Sequence, residues 1–464
     1  MYKLSEIASI TSGRLVLNSL DRRYKGISTD SRSIKKGEIF LAIKGEQFDG
    51  HSFINNIYEK GIRAVIVSNP RQIKKQYKEL SYVVVNDTIQ ALGNIAKKWR
   101  EDNFNSHLIG ITGSNGKTTC KDMTANILER RYKVLKTEGN KNNLIGLPQM
   151  LLKINPLDLP DVVVLEMGMN VKGEIGRLTE IAKPTIGMIL NINPVHLEGL
   201  GSLEGIFRAK AELLEEMGSE GIKVLNRDCK FYTRLRKIAK GEVITFGNDS
   251  RADVYPEGIE RFKKKFGYKF YIISKIGRVE VKLKMFGKHN VNNAMAATAA
   301  TIPVGITKSN IKDALNEFSP PKMRGEVKKL KNFTLIVDCY NANPEAFKLG
   351  IKELKEIDTK GIKVVVMGDM LELGVEGEKY HKDLGNEMAK AKVDLLITKG
   401  KLSKHTSDVL SSQHILTKHC DDNDEIKSYL IHLLRKDDVV FIKGSRLMKL
   451  EDVADFLEKW DGSR

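Results

Sequence analysis

The stretch Gly110-Ile111-Thr112-Gly113-Ser114-Asn115-Gly116-Lys117-Thr118-Thr119 holds residue types that grip a polyphosphate. Glycines let backbone N–H groups turn toward phosphate oxygens, and the start of a helix adds positive partial charge. In such a loop Lys117 meets the β- and γ-phosphates, and the Thr118 hydroxyl helps to hold Mg²⁺. Gly113, Ser114, Asn115, Gly116 and Thr119 complete the nucleotide-binding set. The strict pattern asks for glycine where Ile111 stands; here the glycines fall at 110, 113 and 116. A glycine-rich surface turn is the plain alternative. The context favours the nucleotide, because an apolar strand pattern at 108–111 precedes the loop and a helical pattern at 122–128 follows it. No Asn-Lys-x-Asp guanine signature lies downstream, which favours ATP over GTP.

The elements around this loop predict how it is held. Continuous apolar runs at 161–165, 186–190 and 222–225 alternate with helical patterns, as in a parallel sheet covered on both faces. Alternating stretches at 269–273 and 279–283 predict an added antiparallel portion. Before the loop, strand patterns at 39–43 and 64–67 are closed off by a polar stretch at 100–105. After Ser319-Pro320-Pro321, which reads as a linker, strand patterns recur at 334–337, 363–367, 395–397 and 439–442. No G-x-G-x-x-G turn accompanies them, so a dinucleotide site has no support there. The expectation is an α/β protein of three domains: a mixed α/β domain over 1–100, a central P-loop parallel-sheet ATPase domain over 101–306, and a Rossmann-like domain over 307–464 without the dinucleotide fingerprint.

Composition narrows the class. With 464 residues, 41% hydrophobic and 29% charged, the chain reads as soluble and multidomain. No apolar run approaches the roughly 20 residues of a membrane span, and the N-terminal residues lack the apolar core of a secretory signal. Cys120, Cys229, Cys339 and Cys420 lie far apart, which argues against disulfides or a zinc cluster and suits a reducing cytosol. The net charge of +18 could serve nucleic acid, membrane or anionic small molecules. Its densest run, Arg261-Phe262-Lys263-Lys264-Lys265, is short and reads as a solvated hairpin face rather than a nucleic-acid patch.

Further stretches fall into an order. They are Ser28-Thr29-Asp30-Ser31-Arg32, Lys44-Gly45-Glu46-Gln47-Phe48-Asp49-Gly50-His51, the phosphate loop, Asn140-Lys141-Asn142-Asn143-Leu144-Ile145-Gly146-Leu147-Pro148, Glu166-Met167-Gly168, His196-Leu197-Glu198 and Ala209-Lys210-Ala211-Glu212. Beyond them come His289-Asn290-Val291-Asn292-Asn293-Ala294, Tyr340-Asn341-Ala342-Asn343-Pro344, Gly368-Asp369-Met370-Leu371-Glu372-Leu373-Gly374 and Lys443-Gly444-Ser445-Arg446. From about residue 26 to about 450 the chain resembles the Mur ligase family. The last three motifs fit the member that adds a dipeptide. They do not fit the relative that adds the third stem-peptide residue, which would carry Asp-Asn-Pro-Arg and Lys-Gly-His-Glu. Cys339 departs from the pattern, standing where a second acid follows Asp338.

The resemblance implies an ATP-dependent amide-bond-forming ligase of peptidoglycan synthesis. It would join D-alanyl-D-alanine to a UDP-N-acetylmuramoyl tripeptide through an acyl phosphate, giving the UDP-muramoyl pentapeptide. It implies catalytic roles for Lys117, His196 and Lys210, and two Mg²⁺ sites. One would use Thr118 and Glu166; the other would use His196 and Lys210, the latter as a CO₂-derived carbamate. His289, Asn293, Arg324 and Asp338 would join the ATP contacts as the third domain closes. Ser31, Arg32, Lys44, Asp49, Asn142 and Asn143 would bind the UDP substrate. Tyr340, Asn341 and Asn343 are candidates for the dipeptide. The expected partners are these small molecules, with no nucleic acid and no membrane insertion, for a cytoplasmic monomer.

Taken without the resemblance, several of these residues have ordinary readings. Glu166 is a charged strand end, Lys210 a solvated helical lysine, and Asp49-Gly50 a simple turn. Two rival functions follow. A folylpolyglutamate synthase would share the phosphate loop and the lysine logic. A nucleic-acid-stimulated P-loop ATPase would rest on the basic charge alone.

Overall fold

The computed structural model describes residues 1–45, 48–262 and 266–462. Glu46 and Gln47 of the 44–51 motif, and Lys263, Lys264 and Lys265 of the basic run, lie outside the described residues. The chain divides into two compact units: residues 1–110, 135–167 and 176–184 make one, and residues 111–134, 168–175 and 185–464 the other.

In the first unit, β1 (Arg14–Val16), β2 (Gly26–Ser28), β3 (Glu38–Leu41), β4 (Ala64–Val67) and β5 (Ser81–Val84) form a sheet in the order β1-β5-β4-β3-β2. β2 to β5 run parallel and β1 closes one edge antiparallel. Side chains alternate between two cores, Leu41 and Ile66 facing one and Phe40 and Val65 the other. A strand buried on both faces must be apolar at every position, which is why β4 reads Ala-Val-Ile-Val. The helix Thr88–Asn103 starts where the Asp87 carboxylate accepts hydrogen bonds from the Ile89 and Gln90 N–H groups.

β6 (His107–Thr112), β7 (Val134–Lys136) and β8 (Val162–Glu166) follow in the chain, and then β9 (Ile186–Ile189), β10 (Ile222–Asn226) and β11 (Val243–Phe246). Within the second unit β9, β10 and β11 run parallel, with Val224 opposite Met188 and Ile244. β12 (Tyr255–Arg261), β13 (Tyr268–Ser274) and β14 (Gly277–Leu283) form the expected antiparallel addition.

The last sheet holds β15 (Glu326–Lys329), β16 (Thr334–Val337), β17 (Lys363–Gly368), β18 (Leu395–Lys399), β19 (Leu416–Cys420) and β20 (Val439–Lys443), in the order β15-β16-β20-β17-β18-β19. All pairs are parallel except β15 with β16. The last strand in sequence, β20, is inserted at the centre and buried along its length. This arrangement brings the ends of β16, β17 and β20 together at one sheet edge. Among the described residues, no helix is long and apolar enough to cross a membrane.

Candidate active site

β6 ends at Thr112 and the helix Lys117–Glu129 begins four residues beyond Gly113. Gly116 carries the turn at φ +85°, and a Cβ there would sit 2.5 Å from Asn293 Oδ1. Both the left-handed backbone and the close neighbour therefore require glycine. The loop is stapled to the segment after β9. Ser114 N–H donates to the Asn191 carbonyl at 3.0 Å, and Asn115 N–H donates to Asn191 Oδ1 at 2.8 Å. Asn191 Nδ2 returns a bond to the Asn115 carbonyl at 2.9 Å, and Ser114 Oγ donates to the Asn193 carbonyl at 2.9 Å. A loop held this way needs little reorganisation to receive phosphate. Asn115 Nδ2 is buried with no hydrogen-bond partner, a donor that an incoming phosphate oxygen could satisfy. Asn191 and Asn193 were not among the sequence candidates. The available signal was two asparagines directly after an apolar strand.

Lys117 Nζ donates to the Gly113 carbonyl at 2.9 Å, so the lysine folds back over its own loop. Lys210 lies in the helix Leu203–Met217, which Ser202 caps by accepting from Gly205 N–H. The helix turns Lys210 inward, leaving it 2% exposed. Burial pushes its amine well below the ordinary 10.5, and the nearby Lys117 charge pushes the same way. A solvated lysine would have neither property.

Glu166, the last residue of β8, is 3% exposed rather than a strand end in water. Its Oε1 accepts from Asn142 Nδ2 at 2.8 Å, and its backbone N–H donates to Thr137 Oγ1 at 2.9 Å. His196 stands after β9 in a left-handed conformation, φ +51°. Its Nδ1 lies 2.6 Å from Glu372 Oε2. The His196 contact holds the Glu372 carboxyl below its ordinary value against a smaller upward push from burial.

Three motifs of the last sheet meet at the ends of β16, β17 and β20. Lys443, 2% exposed, donates to Asp338 Oδ2 at 2.6 Å and to the Asn341 carbonyl at 3.3 Å. The Ser445 hydroxyl accepts from Leu371 N–H at 2.9 Å, and Ser445 N–H donates to the Asp369 carbonyl at 3.0 Å. The Arg324 guanidinium lies 4.1 Å from the Tyr340 ring centroid and that of Arg446 5.9 Å from it. Asn341 is exposed, its Oδ1 accepting from Ala342 N–H. Asn343 caps the helix Pro344–Lys355, its Oδ1 accepting from Ala346 N–H at 3.0 Å, while its Nδ2 donates to Asn115 Oδ1 at 2.5 Å. The third domain thus touches the phosphate loop through a residue read from sequence as a dipeptide contact. Cys339 is buried among apolar side chains, and burial pushes its thiol up to about 12, so it stays neutral where the family pattern carries an acid.

In the helix His289–Thr301, His289 is exposed at the first turn. Asn293, one turn on, is buried against Gly116, and its Nδ2 donates to Asn290 Oδ1 at 2.9 Å. In the first unit, Gln149 Nε2 donates to Thr29 Oγ1 at 2.7 Å, tying the 28–32 motif to the residue just after the 140–148 motif. Arg32 is exposed and paired with Asp30, whose carboxyl this contact lowers to about 2. Ser31 is buried, and Lys44 bridges Asp49 through the backbone. Asp49 accepts from His51 N–H at 3.0 Å and lies 2.6 Å from His51 Nδ1. The Asn143 side chain accepts from the N–H groups of Ile145 and Gly146, at the start of the helix Gly146–Leu151. Among the described residues, no three His, Cys, Asp or Glu side chains cluster as a metal site.

Comparison with known proteins fits this arrangement. Residues 23–100, 111–301 and 323–446 match, in turn, the models for the Mur ligase family catalytic domain, the Mur ligase middle domain and the Mur ligase glutamate ligase domain. The chain is 32% identical over 460 residues to the UDP-N-acetylmuramoyl-tripeptide--D-alanyl-D-alanine ligase of Bacillus subtilis (strain 168), with 98% of each chain covered. A crystal structure of MurF from Acinetobacter baumannii is similar with a TM-score of 0.90 and 31% identity, covering 99% of both chains. The MurF ligase from Thermotoga maritima in complex with ADP is similar with a TM-score of 0.84 and 27% identity, covering 96% of this chain and 100% of that one.

Proposed function

The chain belongs to the Mur ligase family and has its three-domain α/β fold, and from that premise we propose that it joins D-alanyl-D-alanine to the terminal carboxylate of a UDP-N-acetylmuramoyl tripeptide. A carboxylate is a poor acyl donor because its leaving group is poor. Transfer of the ATP γ-phosphoryl makes an acyl phosphate, the dipeptide amine attacks its carbonyl carbon, and inorganic phosphate leaves. The stapled loop binds ATP through Gly113, Ser114, Asn115, Gly116, Lys117, Thr118 and Thr119. His289 and Asn293 serve the adenine, and Arg324 and Asp338 the phosphate and ribose.

The observation that carries this reading is the buried amine of Lys210 under the positive field of Lys117. A buried amine with a lowered pKa is neutral enough to take up CO₂. The carbamate is an anion, so the repulsion from Lys117 becomes attraction. Thr118 and Glu166 would hold one Mg²⁺, and His196 with carbamylated Lys210 a second; oxygen donors suit this hard cation. Bound Mg²⁺ would offset the charge of the phosphates and the attacking carboxylate.

Ser31, Arg32, Lys44, Asp49, Asn142 and Asn143 serve the UDP-linked substrate. Tyr340, Asn341 and Asn343 serve the dipeptide side. The domains over 1–100, 101–306 and 307–464 divide the work into UDP-sugar binding, ATP binding and closure over the nucleotide. The enzyme acts in the cytoplasm as a monomer, which light scattering on the purified protein checks. The deciding experiment is mass analysis of products from ATP, D-alanyl-D-alanine and UDP-muramoyl tripeptides ending in lysine or diaminopimelate. One of the two tripeptides gains one dipeptide less water, with one phosphate released. No ligated product at saturating substrates would remove the assignment. A folate with glutamate, or added DNA, should leave phosphate release at background.

A further inference from the structure

His196 belongs to the middle domain and Glu372 to the third, yet they share a hydrogen bond of 2.6 Å. Both residues are left-handed, His196 at φ +51° and Glu372 at φ +64°. This backbone is costly for residues with a Cβ, and for a glutamate it has no local hydrogen-bonding excuse. Two such residues that face each other across a domain boundary mark a contact the fold upholds at a cost. A second bond supports the approach, from Glu198 N–H to the Glu372 carbonyl at 3.4 Å.

The direction of the bond fixes the imidazole. An ionised carboxylate only accepts, so the proton on Nδ1 belongs to His196. In the neutral ring, the form that binds a metal, Nε2 then carries the lone pair. Metal-binding histidines use this arrangement widely, because a carboxylate on the far nitrogen orients the ring and raises its basicity. We propose that Glu372 is a positioning residue: it fixes the His196 ring and tautomer so that Nε2 faces the second metal ion, and the metal site is therefore complete only when the third domain is docked. This inference rests on His196 being a metal ligand, as argued above.

The test measures Mn²⁺ binding by electron paramagnetic resonance, with a non-hydrolysable ATP analogue and bicarbonate present. ¹⁵N-histidine NMR reads the tautomer separately. Glu372→Gly removes the carboxylate and suits the left-handed backbone. Glu372→Gln keeps an acceptor oxygen in nearly the same volume. The glycine variant should weaken the second Mn²⁺ by about 10-fold to 100-fold and give a mixed His196 tautomer. The glutamine variant should fall between it and the parent. Unchanged Mn²⁺ affinity in both Glu372 variants, with a clear loss in His196→Ala, would overturn the positioning role and leave the metal reading standing. No loss in His196→Ala would overturn both. Weaker Mn²⁺ with the Nδ1–H tautomer intact would also overturn it, since the loss would then bypass the ring.

Discussion

Replacing Gly116 by alanine probes the phosphate loop at its tightest point. Two costs add. Gly116 sits at φ +85°, where an L-residue pays about 1–2 kcal/mol. The new methyl would also lie 2.5 Å from Asn293 Oδ1. Asn293 cannot swing away freely, because it is buried and its Nδ2 is bonded to Asn290 at 2.9 Å. Overpacking of this kind costs about 1–3 kcal/mol. The sum is about 2–5 kcal/mol, which for a domain of this size lowers Tm by roughly 10 °C. Nucleotide affinity falls too, because the loop N–H groups shift. Scanning fluorimetry with and without a non-hydrolysable ATP analogue measures both effects. Adding Asn293→Ala removes the clash but not the φ cost, so the double-mutant cycle should show a coupling of about 1–3 kcal/mol. A Tm shift below about 2 °C with parental analogue affinity would refute the reasoning.

Lys210→Ala should lose most ligase activity, and acetate or formate should restore part of it by supplying the missing anion; full activity without rescue would sink the carbamate. Because burial lowers the Lys210 amine below 10.5, the unmodified folded chain releases that proton before the unfolded chain does. Its stability in CO₂-free buffer therefore rises with pH between the lowered folded value and 10.5, a slope that denaturant titration should find absent in Lys210→Met. Asn343→Ala should cost about 1 kcal/mol as a lost helix cap, whereas Asn343→Asp keeps the cap and loses only the bond to Asn115. The Asp variant should accordingly hold its Tm while binding nucleotide more weakly. Lys443→Met should cost about 3 kcal/mol in urea unfolding, because it strands Asp338 beside a buried site.

The sequence determined those features whose cause is local. β4, β8, β17 and β20 announce themselves as apolar runs, because strands covered on both faces must be apolar throughout. The phosphate loop is legible because its geometry needs glycine, lysine and threonine within a few residues. Edge strands were not legible. β15 (Glu-Val-Lys-Lys) and β19 (Leu-Thr-Lys-His-Cys) sit at the margins of their sheet and carry polar residues, as edges do. β12 opens on Tyr-Pro-Glu-Gly and has no clean alternation, partly because its register shifts between Glu257 and Glu260. The tertiary structure alone decided what distant residues do to one another. It buried a helical lysine under the charge of Lys117, and it paired His196 with Glu372. It also turned Asn191 and Asn193 into braces for the phosphate loop and brought Asn343 onto Asn115. Such contacts join residues tens to hundreds of positions apart. Their side chains carry no mark of a partner until folding supplies the low-dielectric surroundings and the distance.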